Sequence, residues 1–191
     1  MGTPVAGRGE AELDELVGMF VNTLVLRTWV DPGARFVDVV EQVRRVDVAA
    51  FGHADVPFER LVEVLDPPRS AARHPLFQVM VAFQNLNAAA EPVEVAGVAV
   101  SGVELPVVTV KFDLQVTFVP QPDGGQLVEW AYATDLFDAD TIAGYADRCA
   151  RLVAAVVADP EAVVGDLVWS TGAETAALLA VGRSPAVGRA V

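Results

Sequence analysis

Cysteine, lysine and histidine are almost missing from this 191-residue chain, and each shortage removes a class of function. Cys149 is its one cysteine, which rules out an internal disulfide and fits a reducing, cytoplasmic setting. His53 and His74 are the only histidines. With a single thiol beside them they offer no cluster spaced for metal binding. Lys111 is the only lysine among 13 basic residues, against 26 acids. A net charge of −13 lacks the positive footprint a nucleic-acid binder needs. No apolar run approaches the roughly 18–20 residues that span a bilayer. Met1-Gly2-Thr3-Pro4 opens without a basic or apolar block, so no secretory leader is expected. Neither a Gly-x-Ser-x-Gly elbow nor a Gly-Lys-Ser/Thr phosphate loop occurs.

What is present is apolar. Hydrophobic residues make up 53% and charged ones 20%, enough for one good core or one lobe of something larger. The central stretch is Gly18-Met19-Phe20-Val21-Asn22-Thr23-Leu24-Val25-Leu26-Arg27, a buried β-branched strand interrupted by two polar side chains. Buried amides and hydroxyls need partners. Asn22 and Thr23 therefore either satisfy a neighbouring loop or line a solvated passage for an amide or thioester.

The pattern elsewhere mixes strands and helices, an α/β or α+β arrangement. Thr3 to Gly9 reads as a short edge strand, and residues 10–17 as a helix. Residues 34–54 carry Phe36, Val39, Val43 and Val46 at helical spacing. Asp55 is placed to cap a following helix with Pro57 near its first turn and Phe58 facing inward. Arg69 and Arg73 bracket a basic loop before an apolar central strand at 76–84. Weaker strands are expected within 93–105. Val107 to Pro120 alternates, with Phe112, Leu114, Val116 and Phe118 opposite Asp113, Gln115 and Thr117. Gln121 to Gly125 is a hairpin connection to a partner strand. Asp138 opens a long helix to about Ala158 that carries Cys149 on its inner stripe. Thr171 and Glu174 form a capping-box pattern, and residues 182–191 lack periodicity.

Four stretches together resemble the C-terminal half of the condensation domain of nonribosomal peptide synthetases. They are Phe20-Val21-Asn22-Thr23-Leu24-Val25-Leu26-Arg27, His53-Ala54-Asp55-Val56-Pro57-Phe58-Glu59-Arg60-Leu61-Val62, Arg69-Ser70-Ala71-Ala72-Arg73-His74-Pro75-Leu76-Phe77 and Lys111-Phe112-Asp113-Leu114. The segments 2–8 and 132–138 fit as well. Ala54 stands where the family usually has Gln, and His74 where Asn is common.

The resemblance implies a chloramphenicol-acetyltransferase-like lobe, a mixed β-sheet flanked by helices, over residues 1–165. Residues 166–191 are then a linker toward a following adenylation domain. It implies amide formation between carrier-bound acyl or peptidyl and aminoacyl thioesters. The cofactor is not bound by the chain: phosphopantetheine arms arrive on partner peptidyl carrier proteins. The family's catalytic His-His-x-x-x-Asp-Gly belongs to the N-terminal lobe, and this sequence has no His-His pair. The chain is therefore expected to be inactive alone, with no catalytic residue and no metal. Asn22 and Thr23 become tunnel-lining candidates, and Gln121 to Gly125 is either a crossover element reaching toward the other lobe or a plain exposed hairpin. Arg27, Asp55, Pro57, Phe58, Arg69, Arg73, His74, Lys111 and Asp113 are structural or docking positions. Expected partners are the N-terminal condensation lobe, carrier proteins and an adenylation domain, with no nucleic acid or membrane. A homodimer through the bare inter-lobe face is also expected. A non-catalytic docking module and a self-associating acyltransferase-like lobe stay open as alternatives.

Overall fold

A computed structural model describes residues 1–9, 11–13, 15–70, 73–84, 93–100 and 109–182. Two compact units emerge. The first combines Met1–Trp29 with Gln42–Ile142, and the second Val30–Glu41 with the described part of Ala143–Val191. The helices α1 (Phe36–Phe51) and α3 (Ala139–Ala158) contribute to both.

The first unit holds a five-stranded mixed sheet. Its strands are β1 (Gly2–Ala6), β2 (Val21–Val25), β3 (Val79–Phe83), β6 (Leu114–Pro120) and β7 (Gln126–Tyr132), in the order β2-β1-β3-β6-β7. The alternating stretch becomes β6, and its partner returns antiparallel as β7. Their turn is a tight hairpin in which the Gln121 amide donates to the Gly125 carbonyl at 2.9 Å. Gly124 takes φ of 85° there, a conformation glycine adopts without steric cost. A two-stranded hairpin of β4 (Val93–Val95) and β5 (Val98–Val100) stands apart. The rest of the expected 93–105 segment lies outside the described residues.

Two expectations about the sheet exchange places. β1 is an interior strand, not an edge, and the apolar β2 is the edge. Pro4 explains how β1 works in the interior. Its odd-numbered neighbours bond β2, since the Gly7 amide donates to the Phe20 carbonyl and the Leu26 amide to the Met1 carbonyl. The missing N–H of Pro4 therefore faces β3, where pairing is limited to Gly2 opposite Met80. A proline is tolerated inside a sheet where the ladder needs no donor from it. β3 is central as expected, yet Val79 and Phe83 are exposed at its ends.

Between β1 and β2 the expected helix at 10–17 reduces to a 3₁₀ turn, Ala11–Leu13. Glu10 and Asp14 lie outside the described residues. Arg8 gathers this loop by donating to the Leu13 and Leu16 carbonyls. Its guanidinium also lies 4.3 Å from the centre of the Phe20 ring.

In the second unit, backbone bonds join Phe36 to Ala162 and Gly165 to Pro32. Arg35 donates to Asp38 and pairs with Glu161. The capping box forms as read. The Glu174 amide donates to Thr171 Oγ1 at 3.2 Å and the Thr171 amide to Glu174 Oε2 at 2.7 Å, opening α4 (Gly172–Gly182). Arg148 and Arg151 of α3 also hold Glu174. The Thr171 hydrogen bonds, with these arginines, lower its carboxyl pKa. Residues 183–191 lie outside the described residues.

A Cβ on Gly7 would sit 2.0 Å from the Phe20 carbonyl oxygen, a backbone atom with no room to move. Gly7→Ala should therefore cost about 1–3 kcal/mol through forced backbone displacement. Urea unfolding at equilibrium checks this, and an unchanged midpoint contradicts the geometry.

Candidate functional site

Adjacent residues on a strand point to opposite faces, so Asn22 and Thr23 serve different surroundings. Asn22 Nδ2 donates to the carbonyls of Ala54 and Val56, each at 2.8 Å. Its Oδ1 accepts from the Thr23 amide at 2.8 Å and the Phe58 amide at 3.2 Å. Phe58 is the first residue of α2 (Phe58–Leu65), and Pro57 at its N-cap supplies no side-chain bond. Asn22 thus caps α2 from across the fold. This corrects the expectation that Asp55 does so, since Asp55 is exposed beside the capped turn.

The odd positions of β2 face away from β1, so the Thr23 amide opens onto the sheet edge. Asn22 Oδ1 closes it there. An uncovered edge strand invites pairing with another chain, and this bond, with α2 packed alongside, protects β2 at its midpoint.

His74 enters an aromatic cluster. Its ring centre lies 4.1 Å from that of Phe77, 5.1 Å from Phe58 and 5.3 Å from Phe112. Phe77 is only 3% exposed and packs against Gly2, where an added Cβ would meet its ring. Burial pushes the His74 pKa below its ordinary value, and its Nδ1 is buried without a hydrogen-bond partner. An imidazole held this way is a neutral packing element rather than an exposed base.

Thr23 faces a groove of about 460 Å³ on the other side of the sheet. Its lining includes Pro4, Ala82, Thr117, Glu129 and Lys111. Thr117 is 6% exposed, the one buried polar residue among those described, and its Oγ1 accepts from Gln115 Nε2 at 3.3 Å. A wall of this kind offers neutral hydrogen bonds to an amide or thioester, while Lys111 and Glu129 bring the only formal charges to the described lining.

The remaining candidates scatter. Arg69 borders a separate, more apolar pocket with Phe58, Glu59, Val62, Ser70 and Pro75. Arg73 is exposed and its backbone bridges to Ser70. Arg27 is exposed beyond the end of β2. Asp113 is half-buried and its carbonyl accepts from the Ala133 amide. No cluster of three metal-ligating side chains occurs among the described residues. The alternation of their strand puts Gln115 and Thr117 on its polar side but does not single them out as site residues. The usable signal was a polar face on a strand flanked by strands on both sides.

The family model described as Condensation domain matches residues 1–179. The chain is 44% identical over 168 residues to a probable non-canonical nonribosomal peptide synthetase, CymA, of Salinispora arenicola (strain CNS-205). That match covers 87% of this chain and 2% of the relative. It is 42% identical to the dimodular nonribosomal peptide synthase of Bacillus subtilis (strain 168), covering 87% of this chain and 7% of that one. The chain thus spans a small fraction of the length of these relatives. Among solved structures, the X-domain from teicoplanin biosynthesis superposes with a TM-score of 0.75 at 32% identity, over 87% of this chain and 38% of that one. A four-domain nonribosomal peptide synthetase bound to AMP and glycine gives a TM-score of 0.80 at 24% identity, over 92% of this chain and 14% of that one, which speaks to fold alone.

Asn22→Ala removes four hydrogen bonds at once and leaves partners unmatched, so it should lower unfolding free energy by about 2 kcal/mol. Asn22→Asp keeps the acceptor but sets a carboxylate against two carbonyls, and should be no better. Denaturant titration of both variants is the check, and a wild-type midpoint for either would refute the clamp.

The depressed pKa of His74 means that the fold favours its neutral form. That contribution is complete above the unfolded value of 6.5 and is lost as pH falls through the lower folded value. Melting temperature should consequently drop more between pH of about 7.5 and 5.5 in wild type than in His74→Phe. Parallel pH profiles would argue against the enclosed imidazole.

Proposed function

Because the chain belongs to the condensation-domain family, we propose that it is the C-terminal lobe of an amide-forming domain in nonribosomal peptide synthesis. Residues 1–165 form the lobe, and residues 166–191 lead toward an adenylation domain. The reaction joins an acyl or peptidyl thioester to the amine of an aminoacyl thioester, both presented on phosphopantetheine arms of carrier proteins in the cytoplasm. The amine attacks the thioester carbonyl, loses a proton, and the thiol departs. Holding the two ends at attack distance accounts for much of the gain in such a reaction.

One observation carries this reading: the family match runs through residue 179, yet neither histidine is set up as a base. His53 is exposed past the end of α1, and His74 is enclosed by rings. Proton handling then falls to a partner lobe carrying His-His-x-x-x-Asp-Gly, and this chain supplies a wall of the passage. Thr23 lines that wall directly, while Asn22 fixes the strand and helix beside it. Arg27, Asp55, Pro57, Phe58, Arg69, Arg73, His74, Lys111 and Asp113 shape the lobe or its docking faces. Self-association through the face a partner lobe would cover belongs to the same proposal.

Mixing the chain with a separately produced N-terminal lobe and two loaded carrier proteins tests this. Mass spectrometry should find the amide-linked product on the downstream carrier only when both lobes are present. Carrier binding without product would favour a docking module instead. Product from this chain alone would overturn the proposal.

A further inference from the structure

The pairing registers align five side chains in one row across the sheet. Thr117 stands opposite Glu129 on one side and Ala82 on the other. Pro4 stands opposite Thr23. Gly2 opposite Met80 sets β1 against β3, so two residues further along these parallel strands Pro4 comes beside Ala82. The row therefore reads Glu129, Thr117, Ala82, Pro4, Thr23, and all five line the groove.

Its composition is uneven in a useful way. Ala82 and Pro4 make a low floor in the middle, and polar groups rise at both ends. Thr23 and Thr117 are three strand spacings apart, about 14 Å, which is the reach of about four extended residues. Gln115 donates to Thr117 Oγ1, which turns the hydroxyl hydrogen of Thr117 away from that bond. Among the described residues it has no protein acceptor. Glu129 is exposed beyond it at the end of the row. Phe112 lines the groove too, and its contact with Phe77 ties that wall to the aromatic cluster.

We infer that this transverse row is a binding track for an extended amide chain ending in a primary amine, lying across the strands. Thr117 donates to a chain carbonyl, Glu129 holds the amine, and Thr23 contacts the far end. The inference rests on the acyl-transfer reading above and assigns the amine-selecting role to Glu129 and Thr117.

The probe is glycyl-aminopantetheine, in which an amide replaces the thioester, titrated into the ¹⁵N-labelled chain and compared with its N-acetylated counterpart. Amide shifts should concentrate at Thr23, Ala82, Thr117 and Glu129. Acetylation should weaken binding about fivefold, the span of one exposed ion pair, and Glu129→Gln should erase that difference. Ala82→Leu should block both probes, and Thr117→Val, which keeps the shape of the side chain but not its hydroxyl, should weaken both while keeping the dispersed amide spectrum of the folded chain. Shifts centred on Arg69, an amine preference that survives Glu129→Gln, undiminished binding to Thr117→Val, or no binding at all would each overturn the track. Product formation in the two-lobe assay without groove shifts would remove this inference and leave the functional reading standing. Groove shifts without product would do the reverse.

Discussion

Everything near the groove is referred to one saturated amide. Asn22 uses both hydrogens and both lone pairs of its side chain within the chain. Its partners come from three places: its own strand, the loop after α1, and the first turn of α2. A side chain with this many fixed partners has one rotamer available, so the position of β2 and the start of α2 are set together. Substituting either end alone leaves an unmatched polar group, and the penalty for that exceeds the net worth of any one of these bonds.

The consequence is a division of labour between the two faces of the sheet. On one, Asn22 connects strand to helix and leaves nothing free for a ligand. On the other, Thr23, Gln115 and Thr117 present hydroxyl and amide groups that the interior does not consume. Because side chains alternate, one dipeptide serves both faces, and a register slip of one residue would exchange a clamp for a contact. The clamp therefore also protects the alignment of the row.

Much of this was legible from composition and pattern. The polar break at Asn22-Thr23, the alternation that becomes β6, the hairpin at Gln121 to Gly125 and the Thr171–Glu174 box are all local signals, and each appears where local chemistry predicts it. The errors are non-local. Strand order depends on which partners β1 finds many residues away, and its own sequence does not reveal that it lies between β2 and β3. Asp55 has the residue type and spacing of a cap, but Asn22 arrives from 36 positions earlier with better geometry. The transverse row was invisible for the same reason. It draws on five strands, and only the β6–β7 hairpin holds two of its members, Thr117 and Glu129, in one stretch.

His74 shows why the charge state of a residue matters more than its name. A histidine in a chain with so few of them draws attention as a base. Here burial among the surrounding rings lowers its pKa and Nδ1 has no hydrogen-bond partner, a setting that disfavours gaining a proton. The same rings pack against Phe112, which lines the groove, so the cluster backs one of its walls. Apart from Lys111 and Glu129, the described lining of the groove offers shape and fixed dipoles rather than charge.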